Sequence, residues 1–241
     1  MNCIKFIIHI KILGVNNEVF MLKAMNMDEI ITKETYFSDK LINIENLSFS
    51  FDNNKQIFKN VNFSINAGDF ACIIGKNGCG KSTLLKLILN LIKNDESKIQ
   101  INTKYISYIP QSINFNKDFP ITVKEFLKYN SKELKVPFSH AKNLIEKYNL
   151  TDCLNSLIGK LSGGQLQKLM LVRSLLKRTD LLIVDEPTNN LDEESKVMIY
   201  DNLKELNNQN ITILVVEHNK NFSMSYANKI FLINEGNIYL V

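Results

Sequence analysis

The segment Gly75-Lys76-Asn77-Gly78-Cys79-Gly80-Lys81-Ser82 constrains this chain more than any other part of it. It matches G-x-x-x-x-G-K-[ST]. A continuous apolar run, residues 70–74, precedes it, and a stretch at 84–92 that reads as a helix follows. A strand buried on both faces, a glycine-rich turn and a helix form the arrangement that holds phosphate. The glycines let backbone N–H groups turn inward onto oxyanions, and the helix N-terminus adds positive potential there. Lys81 can reach the outer phosphates, and the Ser82 hydroxyl can ligate Mg²⁺. With strand and helix both in place, a chance glycine-rich turn is a poor alternative.

The rest of the chain supplies an α/β pattern. Residues 41–51 and 61–65 alternate apolar and polar side chains, as half-buried strands do. Short apolar strands are expected at 105–109, 181–184 and 211–216, with a terminal hairpin, 230–233 and 237–240, around Gly236. Thr122 and Glu125 form a capping-box signature ahead of one helix. Ser139 is expected to cap a second, in which Ala141, Leu144, Ile145 and Tyr148 share a face. Further helices are expected at about 165–176 and 193–206. Strands alternating with helices argue for a core with parallel strands, and the helical stretch between Gln111 and Gln165 argues for an inserted subdomain.

Composition narrows the possibilities. The chain has 241 residues, 45% hydrophobic and 22% charged, so it can bury a sizeable core. A formal charge of +4 is too small to argue for nucleic-acid binding, and none is expected. Cys3, Cys72, Cys79 and Cys153 are scattered, suggesting neither a zinc site nor a disulfide framework, and a reducing cytosol fits them. No segment is long and apolar enough to span a bilayer. Residues 1–40 differ from the rest in showing little periodicity. They are read either as a genuine N-terminal extension or, preferably, as the product of a start codon placed too early.

Two further motifs bear on chemistry. Leu181-Leu-Ile-Val-Asp185-Glu186 is an apolar strand ending in two carboxylates. Such endings are common at solvated strand ends. Downstream of a phosphate loop, Asp185 can hold the Mg²⁺ shell and Glu186 can polarise an attacking water. The other motif is Leu161-Ser162-Gly163-Gly164-Gln165. With it, the chain from Leu41 onward resembles the nucleotide-binding subunit of an ATP-binding cassette (ABC) transporter, whose signature motif is L-S-G-G-Q.

The resemblance implies the ABC ATPase fold. That fold is a P-loop NTPase core (41–110 and 166–241) with a mostly parallel sheet, an antiparallel β subdomain and a helical subdomain (111–165). It implies ATP and Mg²⁺ as ligands and ATP hydrolysis as the reaction. Gly75 to Thr83 match the Walker A loop, and Asp185 and Glu186 end the Walker B strand. Gln111, after Ile-Pro, matches the Q-loop glutamine linking Mg²⁺ and attacking water to the helical subdomain. Asn190-Leu191-Asp192 fits the D-loop, where the family more often has Ala-Leu-Asp. His218 fits the switch histidine at the γ-phosphate, although Glu217-His218-Asn219 departs from the usual His-Asp context. Phe51 stands where the family often stacks a tyrosine on adenine; core packing, continuing Leu47 and Phe49, is a rival reading. Cys79 is read as filling a small-residue slot or, alternatively, as a thiol that a maleimide reaches when the loop is empty.

The resemblance also implies partners. Ser162 to Gln165 would close over the ATP of a second copy in a two-fold head-to-tail homodimer. The dimer would sit on the cytoplasmic face of the membrane against integral-membrane permease subunits, with an extracytoplasmic solute-binding protein. The sequence Asp118-Phe119-Pro120-Ile121-Thr122-Val123 after Pro110-Gln111 resembles ATPases of zinc and manganese uptake. Haem and iron-siderophore importers are the neighbouring alternative, and a soluble non-transport ABC ATPase is a further one.

Overall fold

Three short strands, β3 (Phe70–Gly75), β6 (Leu181–Asp185) and β7 (Thr212–Glu217), form the centre of the protein. The structure is a computed structural model that describes residues 40–51, 56–93, 98–111, 120–189, 191–218 and 220–241. Residues 1–39 of the expected extension, residues 112–119 of the cargo-related segment, and Asn190 and Asn219 lie outside the described residues.

The three strands are continuous apolar runs because both of their faces are covered. Alternate side chains point to opposite sides. Phe70, Cys72, Leu182, Val184, Ile213 and Val215 join one apolar cluster. Ala71, Ile73, Leu181, Ile183, Leu214 and Val216 join the other. The sheet is extended by β5 (Ile106–Ile109), β8 (Lys229–Asn234) and β9 (Asn237–Leu240), in the order β5-β6-β7-β3-β8-β9. All pairings are parallel except β8 with β9.

Helices cover the first face: α2 (Val123–Glu133), α3 (Phe138–Lys147), α4 (Gly163–Leu175) and α5 (Glu193–Asn208). The second face is covered by α1 (Lys81–Ile88) and by an antiparallel sheet of β1 (Lys40–Ser50), β2 (Gln56–Asn66) and β4 (Lys98–Ile101), ordered β2-β1-β4. This is the fold class the sequence implies, a mostly parallel P-loop core with an antiparallel β layer and helices.

Several boundaries differ from expectation. Helix α1 starts at Lys81 rather than 84, directly after the loop, and stops at Ile88 rather than 92. Asn90 takes a left-handed conformation (φ 54°), with Asn90 N–H bonded to Leu87 O and Leu91 N–H to Lys86 O. That pair of bonds is a Schellman stop with asparagine in the glycine position. The expected Ser139 cap is not used: Pro137 is the N-cap of α3, and Ser139 sits in the first turn. The Thr122–Glu125 capping box is formed, and a second box, Ser162 with Gln165, starts α4 at Gly163. Strand β4 and the short helix α6 (Lys220–Tyr226) were not expected; four residues on a sheet edge and seven after a strand carry too little periodicity.

Candidate functional site

Because β6, β7 and β3 are adjacent and parallel, their C-terminal ends lie side by side. Asp185 pairs with Val216, and Ile74 with Glu217. Gly75, Asp185, Glu186, Glu217 and His218 therefore come from one edge of the sheet, where ligands bind in open α/β folds. Gly78 (φ 77°) and Gly80 (φ 110°) turn the loop through conformations that L side chains rarely adopt. At Gly75 the limit is space. A Cβ there would lie 2.6 Å from Cys79 Sγ and 2.8 Å from the Ile233 carbonyl oxygen.

Helix α1 has Gly80 as its N-cap and no side-chain capping bond, so the first-turn N–H groups are left for an anion. Ser82 is exposed there and Thr83 half-buried. Lys81 is buried and folds back over the loop, Nζ donating to Gly75 O at 2.9 Å and Lys76 O at 3.3 Å. Lys76, Asn77 and Gly78 are exposed at the tip.

Asp185 is buried, and Tyr108 Oη donates to its Oδ2 at 3.4 Å. Its other oxygen, Oδ1, is buried without a hydrogen-bond partner. Burial, then the neighbouring Glu186 charge, push the carboxyl up to about 6, against partial relief from Tyr108 and Lys81. A buried carboxylate oxygen with no donor beside a phosphate loop fits one member of a cation shell.

Glu186 adopts φ 44°, a left-handed conformation uncommon for a non-glycine residue, while its N–H stays bonded to Val216 O at 2.8 Å. Its Oε2 accepts Gln111 Nε2 from the end of β5. His218 is exposed; its N–H donates to Glu217 Oε2 at 3.0 Å, and Nδ1 lies 3.6 Å from that oxygen. Two residues escaped the sequence reading: Tyr108 behind Asp185, and the fully buried Glu217. The signal for Glu217 was present, as a charge ending an otherwise apolar strand.

The signature segment is built separately. Ser162 Oγ accepts Gln165 N–H at 3.2 Å, and Gln165 Oε1 accepts Ser162 N–H at 2.9 Å. A Cβ on Gly163 would lie 2.6 Å from Leu191 Cδ2, and one on Gly164 3.0 Å from Ser195 Oγ. Asp192 caps α5, with Oδ1 accepting Ser195 N–H at 2.8 Å. So 162–164 and 191–195 pack together.

Phe51 is 60% exposed, with its ring edge-on to Phe49 at 5.1 Å. That exposure removes the core-packing reading. Cys79 is half-buried, and its Sγ turns under the loop towards Gly75 and the second cluster. The thiol lies behind the loop beside Gly75, which favours the small-residue reading over the maleimide-accessible alternative.

A family model described as ABC transporter matches residues 58–189. A zinc import ATP-binding protein ZnuC from Buchnera aphidicola subsp. Baizongia pistaciae is 34% identical over 198 residues, covering 80% of each chain. A zinc uptake system ATP-binding protein ZurA from Listeria innocua is 34% identical over 220 residues, covering 83% of this chain and 85% of its own. Among solved structures, a nucleotide-free ATP-binding cassette from an ABC transporter superposes with a TM-score of 0.71 at 25% identity, over 83% of this chain and 89% of its own. The chain belongs to the ABC transporter family, as its ATP-hydrolysing subunit. The family binds ATP, generally with Mg²⁺. No helix among the described residues is long and apolar enough to cross a membrane.

Proposed function

We propose that this subunit binds Mg·ATP across the ends of β3 and β6, hydrolyses it in a homodimer, and drives metal-ion import through permease subunits. The observation that carries the nucleotide assignment is the pairing of a donor-rich loop, closed by Lys81, with the unpartnered Asp185 Oδ1. The N–H groups of 76–83 and Lys81 Nζ bind the phosphates, Lys81 exchanging its loop carbonyls for phosphate oxygens. Phe51 offers an exposed ring for adenine. Ser82, Gln111 and Asp185 would hold Mg²⁺, which would supply positive charge against the phosphates. Glu186 takes the proton of the attacking water, Gln111 orients that carboxylate, and His218 meets the γ-phosphate. In the dimer, Ser162 to Gln165 of one copy face the ATP of the other, with Asp192 beside them, and helices α2 and α3 relay closure to the permease.

Import of a metal ion is supported by the zinc-system names of the two relatives. The partners are integral-membrane permease subunits and an extracytoplasmic solute-binding protein, and the location is the cytoplasmic face of the membrane. The test is reconstitution of the chain with its permease and binding protein in vesicles. ATP-dependent zinc or manganese uptake is expected. Uptake of haem or iron-siderophore instead, or ATPase activity indifferent to every cargo, overturns the metal assignment and leaves the ATPase reading untouched.

A further inference from the structure

Glu217 is a buried charge at the same end of the sheet as Asp185, with no part in the proposed chemistry. It ends β7, is 0% exposed and stands beside Ile74 in the parallel register. A carboxylate taken out of water is costly unless its oxygens are occupied. Both are occupied here. Oε1 accepts the Thr188 hydroxyl. Oε2 accepts the His218 N–H at 3.0 Å, with His218 Nδ1 at 3.6 Å. Thr188 lies two residues beyond Glu186, in the turn that leaves β6. One buried side chain thus touches both the turn that follows the proposed base and the residue proposed to meet the γ-phosphate.

Burial, and then Glu217, push the Cys72 thiol up to about 12, with Ser223 opposing. Burial and the same carboxylate move the Tyr200 hydroxyl upward as well. Cys72 on β3 and Tyr200 on α5 are thus within reach of its charge.

We propose that Glu217 is a positioning residue for hydrolysis: by accepting Thr188 and the His218 N–H together, it fixes the His218 imidazole relative to Glu186. This rests on the roles given to Glu186 and His218 under Proposed function. The carboxylate lies on the Nδ1 side of the ring, 3.6 Å away, so backbone and imidazole of His218 are placed by the same group. Glu217 touches neither nucleotide nor water; it acts through His218.

The test is single-turnover and steady-state hydrolysis by the purified full chain, with thermal melting of each variant. Glu217→Gln keeps the volume but has only one acceptor oxygen. It should lower kcat on the order of 10- to 100-fold, the range for a displaced supporting group, and leave KM for ATP within about threefold. Thr188→Val should lower kcat in the same direction and Thr188→Ser should restore it, a comparison that stands even if Glu217→Gln folds poorly. In a His218→Ala background neither Glu217→Gln nor Thr188→Val should slow single-turnover hydrolysis further, since both act through the missing ring. Losses that multiply in that background, an unchanged kcat in Glu217→Gln and Thr188→Val, or a rise confined to KM, would overturn the proposal. Wild-type kcat in His218→Ala alone would instead overturn the role of His218, and the proposal with it.

Discussion

Gln111 Nε2 donates to Glu186 Oε2 across 75 residues of sequence, joining the end of β5 to the turn after β6. The bond holds the carboxylate by Oε2, on a residue whose backbone takes φ 44°. A strained residue clamped by a neighbouring amide is a pre-set group rather than a solvated strand end. Glu186→Gln should therefore slow hydrolysis by roughly 10²–10⁴-fold, the usual worth of a positioned base, while nucleotide binding persists. Near-normal turnover in the purified variant would remove Glu186 from that role.

Gly75 tests the packing under the loop. A methyl group there meets Cys79 Sγ, which can move, and the Ile233 carbonyl, which cannot without shifting β8. Gly75→Ala should destabilise the fold by about 1–3 kcal/mol, the usual cost of overpacking, and weaken nucleotide binding. Cys79→Ser or Cys79→Ala relieves the first clash only, so combining either with Gly75→Ala should rescue little. Full recovery in the double variant would show that the thiol, and not the β8 backbone, sets the limit.

Asp185 gives a pH dependence with a definite sign. Its folded value, about 6, lies above the ordinary 3.8, so the folded chain holds this proton more tightly than the unfolded one. Stability from this group is complete below the unfolded value and falls as pH rises through about 6. The gap corresponds to about 3 kcal/mol as an order-of-magnitude upper figure. Asp185→Asn should melt higher than wild type at pH 7 without nucleotide and lose that slope. Adding Mg²⁺ and ATP to the wild type should flatten it too, by supplying charge to Oδ1. Identical pH profiles of melting for the two proteins would show that Asp185 does not carry the effect.

Much of this was legible in the sequence, for particular reasons. The strand, loop and helix around Gly75 to Ser82 were readable because each element has a local requirement: burial on both faces, glycine at positive φ, an uncapped helix start. Asn90 hid the end of α1, since a left-handed asparagine is chemically unlike the glycine that usually marks a stop. Glu217 was marked only as a charge ending an apolar strand; its bond to Thr188, 29 residues away, and that of Tyr108 to Asp185, 77 residues away, register in no short-range pattern. The signature segment could be found but not completed. Its Ser162 bonds stay within its own helical turn, and its expected ligand belongs to a second copy.

The trans arrangement is open to a mixing experiment. Lys81 braces the loop through Gly75 O and Lys76 O, so Lys81→Ala removes both that brace and a phosphate contact. Gly163→Asp acts elsewhere: its Cβ would press on Leu191 Cδ2, next to Asp192, so it alters the signature face and the 191–195 segment together. If Ser162 to Gln165 serve the partner's nucleotide, a heterodimer of the two variants has one site hit twice and one site intact. The mixture should hydrolyse ATP although each variant alone does not. Exchange between subunits must be measured alongside, for example by mass of the mixed dimer, and so must nucleotide occupancy, because strict coupling of two sites would silence an intact one. If each segment instead served its own copy's nucleotide, the two variants would damage different sites, and no mixture, at any ratio of the two, would hydrolyse ATP. Coupling is separated from a cis arrangement by a heterodimer of wild type with the Lys81→Ala, Gly163→Asp double variant, which should be silent under strict coupling.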